Sequence, residues 1–428
     1  MKLSETQTIH FIGIGGIGAS ALAQILNAKG KTISGSDQSE SEITNRLSQS
    51  GINISIGHDT KNLPSNCELV IYSHAVPENN PEILEAKKLG LTSLTYPQAL
   101  SLLTKEYFTI AITGTHGKST TTAMTALTLI DAGLDPTVVV GTKLKEFDNQ
   151  NFRVGESQYL VIEACEYKSS FLTLEPNILA ITNIEADHLD HFKTAENYKN
   201  TFAEYVNKLP SEAKIIFNAK DEVVSSILEG AKATLLPWDK LIEFELEVPG
   251  EFNKENASFA KTISLELGVP VETMKSALQK FKGTWRRQEY KKVDGLTPIF
   301  IDDYGHHPTE VRLTLDAIAQ KHPGAKILCV FQPHQYSRTF NLLHEFGESF
   351  GAATKVIIPN IYQVRDSEED VASVSPQDLV DEINKNGVKA ENGQSLEKTA
   401  ELIKENHKEF DIIITMGAGN ITSIYELL

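Results

Sequence analysis

Short β-branched, apolar runs alternate along this chain with longer stretches in which apolar residues recur at helical spacing. That alternation predicts an α/β protein built from βα units around mostly parallel sheets. The expected strands fall into three series: residues 8–14, 31–34 and 69–72; then 107–113, 159–162, 177–183 and 214–218; then 297–301, 326–331, 355–358 and 411–415. Joins near 103–106 and 282–285 divide the expected fold into three domains, 1–104, 105–284 and 285–428.

Length agrees, since 428 residues at roughly 100–200 per domain suggest about three. Three cysteines, Cys67, Cys165 and Cys329, are far apart and odd in number, so no disulfide framework or zinc knuckle is expected. They fit a reducing compartment. Forty Lys and Arg against fifty-seven Asp and Glu give a net charge of −17, which opposes general attraction to nucleic acid or anionic lipid. The opening residues MKLSETQT turn polar too early for a signal peptide. No segment approaches the ~20 apolar residues that span a bilayer. The expectation is a soluble cytoplasmic protein, monomer or homodimer, with no nucleic-acid partner and no membrane insertion.

Chemistry first shows at the turn Gly13-Ile14-Gly15-Gly16-Ile17-Gly18, between an expected strand and the helical pattern 19–26. The G-x-G-x-x-G spacing suits a tight turn, close approach of backbone to a pyrophosphate, and a helix N-terminus facing the anion. Asp37 ends the next strand, where a ribose-reading carboxylate belongs. The same glycines could serve only to pack helix on strand. NAD is the default ligand, although any diphosphate-linked nucleoside meets the same requirement.

A second turn runs Gly114-Thr115-His116-Gly117-Lys118-Ser119-Thr120. Its backbone amides would cradle phosphates, Lys118 would reach the β/γ oxygens and Ser119 would hold Mg²⁺. The loop is a shorter variant of the usual pattern, with Ile112 where the first glycine stands. Two further strand ends belong to the same sheet. One carries Glu163, followed by Ala-Cys-Glu166; the other runs into Glu185, Asp187, His188, Asp190 and His191. Glu163 suits a magnesium ion or its water, because ligands gather at the carboxyl ends of parallel strands. The histidine-rich segment is either a solvated charged loop or, beside a phosphate loop, a second ion site with His188 as ligand.

GIGGIG with SD, GTHGKSTTT, EACE, TNIEADHLDHF, PGEFNKENA, TWRRQE, DDYGHHPTE, FQPHQYSRT and MGAGNI follow one another in this order. The chain thereby resembles the Mur ligases over nearly its whole length. The resemblance implies an N-terminal Rossmann-like domain for UDP, a central P-loop-type ATP-binding domain with a mostly parallel sheet, and a C-terminal Rossmann-like domain for the amino acid. UDP then replaces NAD at the first turn, with Gly13, Gly15, Gly16, Gly18, Asp37 and Ser73 as its residues. The implied activity belongs to peptidoglycan precursor synthesis. In that reaction ATP activates the lactyl carboxylate of UDP-N-acetylmuramate as an acyl phosphate and L-alanine displaces phosphate, and the resemblance implies ATP and two Mg²⁺ ions.

The same resemblance implies further roles. Lys118, Glu163, His188, Arg287, Asp303, His306 and Arg338 are catalytic; Ser119, Glu163 and His188 hold metal. ATP is contacted by residues 114–120, Asn253, Asn256, Arg287 and Asp303. Tyr304, His306, His334 and Arg338 meet the amino acid. Locally, Asn253 and its neighbour also read as a helix cap, and Pro308 as the first residue of a helix over 309–320. Two departures stand out. Gln335 occupies a position where relatives commonly carry arginine. Only about thirty residues separate Asp221 from Pro249, so a peripheral sheet of the central domain is expected to be missing. Lys199 is assigned no role. The rival readings are a ligase that recycles a whole tripeptide onto the same sugar nucleotide, a NAD-dependent dehydrogenase, and a nucleotide-binding protein without chemistry.

Overall fold

The structure, a computed structural model, describes residues 2–428 apart from the side chain of Asp190. Three sheets carry the fold. The first comprises β1 (Thr8–Ile12), β2 (Thr32–Asp37), β3 (Asn53–Ile56), β4 (Leu69–Tyr72) and β5 (Thr92–Thr95), in the order β3-β2-β1-β4-β5 and parallel throughout. The second holds β6 (Phe108–Thr113), β7 (Thr137–Leu144), β8 (Gln150–Arg153), β9 (Tyr159–Glu163), β10 (Ile178–Ile181), β11 (Lys214–Asn218) and β12 (Thr234–Trp238), ordered β12-β11-β10-β6-β9-β7-β8. Here β8 alone runs antiparallel to its neighbour. The third is β13 (Glu289–Lys291), β14 (Ile299–Asp303), β15 (Ile327–Phe331), β16 (Lys355–Ile358), β17 (Lys389–Asn392) and β18 (Ile412–Met416), ordered β13-β14-β18-β15-β16-β17, with β13 antiparallel.

Most central strands are apolar without alternation, as in ILAI and ILCVF, because helices cover both faces of a parallel sheet. These strands match the expected ones to within three residues at either end. The unexpected ones are chiefly edges, such as NISI, QNFR and KAEN, whose polar composition suits a half-solvated border. Between Asp221 and Pro249 the chain forms β12, which extends the second sheet, and the described residues there build no separate sheet.

By internal contacts the chain resolves into two compact units. One takes the chain up to Leu241 with Asn256–Leu278; the other takes Ile242–Glu255 with Gln279–Leu428. The first unit thus contains the first two sheets, joined by contacts such as Ser101 Oγ donating to the Thr173 carbonyl. Among the described residues no helix is long and apolar enough to cross a membrane.

After β9 the chain crosses to β10 through residues 167–173, anchored by Phe171. Its ring lies 5.0 Å from Phe202 and 4.7 Å from Tyr205, both fully buried on the helix Ala195–Lys208. Phe171→Ala is expected to lower the unfolding free energy by about 3–5 kcal/mol, the usual loss for a large buried aromatic. Urea denaturation checks this, and a loss below about 1 kcal/mol would mean that this crossing does not depend on the ring.

Candidate functional site

At the first turn, three of the four motif glycines are required by their protein neighbours. A Cβ on Gly13, whose φ is +75°, would lie 2.9 Å from Val76 and 3.1 Å from Ser73 Cβ. At Gly15 it would meet the Asp37 carboxylate at 2.8 Å, and at Gly18 the Tyr96 ring at 2.6 Å. Gly16 has room, with nothing nearer than 3.6 Å, and it caps the helix Ile17–Ala28. The helix N-terminus has space for an anion at Gly16, whose own amide donates to the Gly13 carbonyl at 3.4 Å, whereas Gly15 is already covered: Asp37 Oδ2 accepts the Gly15 amide at 2.8 Å. The carboxylate expected to read a ribose therefore braces the turn. Ser73 follows β4 and lies beside Gly13.

The second turn links β6 to the helix Lys118–Asp131. Gly114 (φ +128°) and Gly117 (φ +81°) take conformations that side chains rarely adopt. Thr182 and Asn183, just past β10, pin the loop: Thr182 Oγ1 and Asn183 Nδ2 donate to the His116 carbonyl, while Asn183 accepts the amides of Thr115 and His116. Those two amides are thus engaged. The first helical bond runs from Thr121 N to Gly117 O, so the amides of Lys118, Ser119 and Thr120 have no intrahelical acceptor and suit phosphate oxygens. Thr115 Oγ1 lies 2.9 Å from Tyr198 OH, and His116 Nε2 lies 3.0 Å from Glu185.

Lys118 curls over this loop, its Nζ donating to the carbonyls of Gly114 (2.7 Å) and Thr115 (2.9 Å) and to Glu166 (3.1 Å). Burial, the largest single influence, pushes the ammonium toward deprotonation, but the Glu166 charge and hydrogen bond together with the nearby Cys165 and Glu163 prevail and hold its pKa above the usual lysine value. Glu166 is 1% exposed and also lies 3.6 Å from His188 Nε2. His188 takes φ +53° at the entry to the short helix Leu189–Phe192, its ring 5.0 Å from Tyr167. Glu163 instead accepts the Gly141 amide at 2.6 Å from β7. Lysine and histidine thus meet at Glu166, a carboxylate to which the motifs gave no role. Asp190 lies outside the described side chains. Buried Ser119 lies in the first turn of the helix Lys118–Asp131.

Asn256 accepts from Thr121 Oγ1 at 3.1 Å and lies over Gly117, where any Cβ would strike it at 2.3 Å. This packs the asparagine directly against the loop at Gly117. Asn253 is inside the helix Glu251–Glu266 rather than its cap, and its Nδ2 donates to the Pro249 carbonyl.

In the second unit, Pro308 opens the helix Pro308–Lys321 as expected, capped by His307. Both Asp303 oxygens accept backbone amides, from Gln288 and Gly305, each at 2.8 Å. Burial pushes the Asp303 carboxyl up to about 6 despite the nearby Arg287 charge. From there a row of side chains runs across the strand ends. Arg287 lies over the Tyr304 ring at 5.2 Å, Tyr304 is 5.4 Å from His306, His306 is 5.8 Å from His334, and Arg338 Nη1 donates to the His334 carbonyl at 3.2 Å. His334 stacks on Tyr362. Gln335 is buried, with Nε2 directed to the Val364 carbonyl. Sequence reasoning passed over Arg286, which is 2% exposed and bonds Asp302 and the carbonyls of Gly417 and Gly419. It also passed over Glu310, which accepts the His306 amide and faces Arg287 at 3.5 Å. An acid three residues into a helix is the capping-box signal that could have marked Glu310.

Three family descriptions match in order along the chain: Mur ligase family, catalytic domain, over residues 8–108; Mur ligase middle domain over 112–236; and Mur ligase, glutamate ligase domain over 286–419. The chain is 40% identical over 457 aligned positions to a UDP-N-acetylmuramate–L-alanine ligase of Clostridium acetobutylicum, covering 100% of this chain and 98% of that protein. A protein of the same name from Caldanaerobacter subterraneus subsp. tengcongensis is 39% identical at the same coverage. The crystal structure of the UDP-N-acetylmuramate-alanine ligase MurC of Thermotoga maritima superposes with a TM-score of 0.78 at 27% identity, over 98% of this chain and 97% of that one. A murein peptide ligase from Psychrobacter arcticus shares the fold, with a TM-score of 0.70 at 24% identity over the same shares of each chain.

Two outcomes follow from this geometry. Lys118→Ala should lower ATP-dependent turnover by about 10²-fold or more, and should also destabilise the protein by leaving Glu166 buried against a lost cation. Adding Glu166→Gln should recover thermal stability without recovering turnover; full turnover in either variant would remove Lys118 from the chemistry. The second outcome concerns pH. Folded Asp303 binds its proton more tightly than an unfolded aspartate, whose pKa is about 3.9, so its contribution to stability falls as pH rises from there to about 6. Asp303→Asn should remove that slope from urea-unfolding free energies measured across this window. A wild-type-minus-variant difference that stays constant with pH would contradict it.

Proposed function

The chain belongs to the Mur ligase family, and we propose that it joins L-alanine to the lactyl carboxylate of UDP-N-acetylmuramate at the expense of ATP. The observation that carries this reading is end-to-end similarity, 39–40% identical over 98% of each relative's length, to ligases of that specificity. The reaction supplies peptidoglycan precursor, releasing UDP-N-acetylmuramoyl-L-alanine, ADP and phosphate. We place it in the cytoplasm, a reducing setting that suits three free cysteines.

The chemistry has two steps, both of which gather negative charge. A carboxylate oxygen attacks the γ-phosphorus and ADP leaves; the alanine amine, deprotonated, then attacks the acyl carbon and phosphate leaves. Neither step needs a protein nucleophile, so fixed positive charge and positioning govern the rate. We assign the ATP phosphates to residues 114–120. On that assignment the Lys118 ammonium exchanges loop carbonyls for phosphate oxygens while keeping Glu166 as its anchor. Arg287, Asp303, Asn253 and Asn256 complete our nucleotide set.

The hydroxyl of Ser119 and the carboxylate of Glu163 suit a hard divalent ion, whereas the His188 imidazole is the less usual donor for one. Ser119 and Glu163 would hold one Mg²⁺ and His188 a second, and bound magnesium supplies neutralisation of phosphate charge. Gly16 and the helix behind it would receive the UDP pyrophosphate. Tyr304, His306, His334 and Arg338 would receive alanine; a guanidinium grips the alanine carboxylate with two parallel bonds, which an ammonium cannot match.

ADP release should therefore require both UDP-N-acetylmuramate and L-alanine. Turnover only with a tripeptide would indicate the recycling ligase instead, and nucleotide binding without turnover would remove the enzymatic reading. Arg338→Lys should raise the Michaelis constant for L-alanine about tenfold, near 1.4 kcal/mol, leaving those for ATP and the sugar nucleotide nearly unchanged. An unchanged alanine constant would make Arg338 scaffolding, and a shift confined to ATP would move it to the phosphate side.

A further inference from the structure

Beneath the first turn lies a buried charged cluster that neither the motifs nor the mechanism uses. Glu82 lies in the first turn of the helix Pro81–Lys88 and is 0% exposed. Both of its oxygens are engaged. Oε2 meets His10 Nε2 and accepts from Ser36 Oγ, each at 2.8 Å. Oε1 meets His58 Nδ1 at 3.1 Å and accepts from Asn62 Nδ2 at 2.9 Å. His10 Nδ1 in turn contacts Ser34 Oγ at 2.8 Å. Burial alone would raise the Glu82 pKa, but bonds from His10, Asn62 and Ser36 prevail and hold it below the usual value.

An apolar residue here would avoid the desolvation of a carboxylate, and buried ionic clusters give little net stability. What this cluster does provide is convergence on the end of β2. The Ser36 carbonyl accepts the amides of Gly13 (2.8 Å) and Ile14 (3.0 Å), so the glycine turn hangs from the residue whose side chain Glu82 holds. Next along, Asp37 braces the Gly15 amide by its carboxylate. Its own carbonyl accepts from Gly57 N at 2.8 Å, and the Gly57 carbonyl accepts from Asn62 Nδ2 at 3.0 Å. Glu82 therefore reaches the turn by two routes, through Ser36 and through Asn62, Gly57 and Asp37.

We propose that Glu82, with His10, His58 and Asn62, is a positioning residue for the UDP end of the substrate, acting through Ser36 and Asp37 on the glycine turn. The proposal rests on the reading of that turn as the UDP site. A carboxylate gripped on four sides fixes the strand end more sharply than apolar packing could, and the turn amides inherit that fixity. Its effect is confined to the sugar nucleotide.

The test is steady-state kinetics with each substrate varied in turn. Glu82→Gln keeps the shape but loses the charge and one acceptor; it should raise the Michaelis constant for UDP-N-acetylmuramate roughly tenfold, with kcat and the ATP constant within about twofold. His58→Gln, at a residue 19% exposed, should shift the same constant in the same direction and keeps the test open if Glu82→Gln folds poorly. Gly16→Asp serves as control and should abolish sugar-nucleotide binding. If Gly16→Asp leaves that constant unchanged, the turn is not the UDP site. If Gly16→Asp acts while Glu82→Gln and His58→Gln lower only the melting temperature, or move all constants together, the cluster is scaffold and the inference fails.

Discussion

The ammonium of Lys118 is the constraint around which the first unit's chemistry is arranged. A cation at the end of a buried strand needs acceptors, and it takes two from its own loop and a third from Glu166. To present those carbonyls inward the loop must bend through positive φ at Gly114 and Gly117, and the bend brings backbone so near Thr182, Asn183 and Asn256 that a Cβ has no room. The following helix, like any other, starts with amides that have no intrahelical acceptor, and the bend sets where they lie. One buried charge thus accounts for the glycines and for the threonine and asparagine pin beside that anion-receptive helix end.

The other strand ends solve a related problem with the opposite charge. Parallel sheets bring several carboxyl ends to one edge, and each sheet here places acids at that edge: Asp37 on β2, Glu163 on β9, and Asp302 with Asp303 on β14. Asp37, Glu163 and Asp303 all accept backbone amides. Each acid therefore determines the shape of a neighbouring loop, and whatever ligand contact it also makes is made from a fixed position.

This dual use explains which features could be read from the sequence. Central strands were legible because burial on both faces demands unbroken apolar runs, and the motif loops because glycine, lysine and histidine at strand ends are chemically distinctive. The division of labour within a motif was not legible. Nothing in the spacing of EACE tells which glutamate meets Lys118; the answer depends on the turn after β9, where Lys168 and Ser169 adopt positive φ. Nor does GIGGIG reveal that Asp37 covers Gly15 and leaves Gly16 open, since that depends on side-chain reach across β1 and β2. Edge strands escaped because their polar residues satisfy a border and look like loop. Residues 242–255 were expected with the central domain, yet their contacts group them with the second unit, a matter of tertiary packing that local pattern does not record.

Arg287 shows how far such placement is set by bonds within the protein itself. The residues on either side of it, Arg286 and Gln288, both hold positive φ, at 54° and 50°, a conformation that disfavours ordinary side chains by about 1–2 kcal/mol each. Strain of this kind persists only where the surroundings over-determine it. Here Asp302 grips the Arg286 guanidinium, the Tyr304 amide donates to the Arg286 carbonyl at 2.6 Å, and Asp303 takes the Gln288 amide. Two adjacent acids at the end of one strand therefore clamp both flanks of the arginine, which leaves its guanidinium over Tyr304 and facing Glu310. The doubled aspartate of DDYGHHP thus has a mechanical reading: one acid for each strained neighbour, with the arginine between them fixed in place by its own contacts to Tyr304 and Glu310.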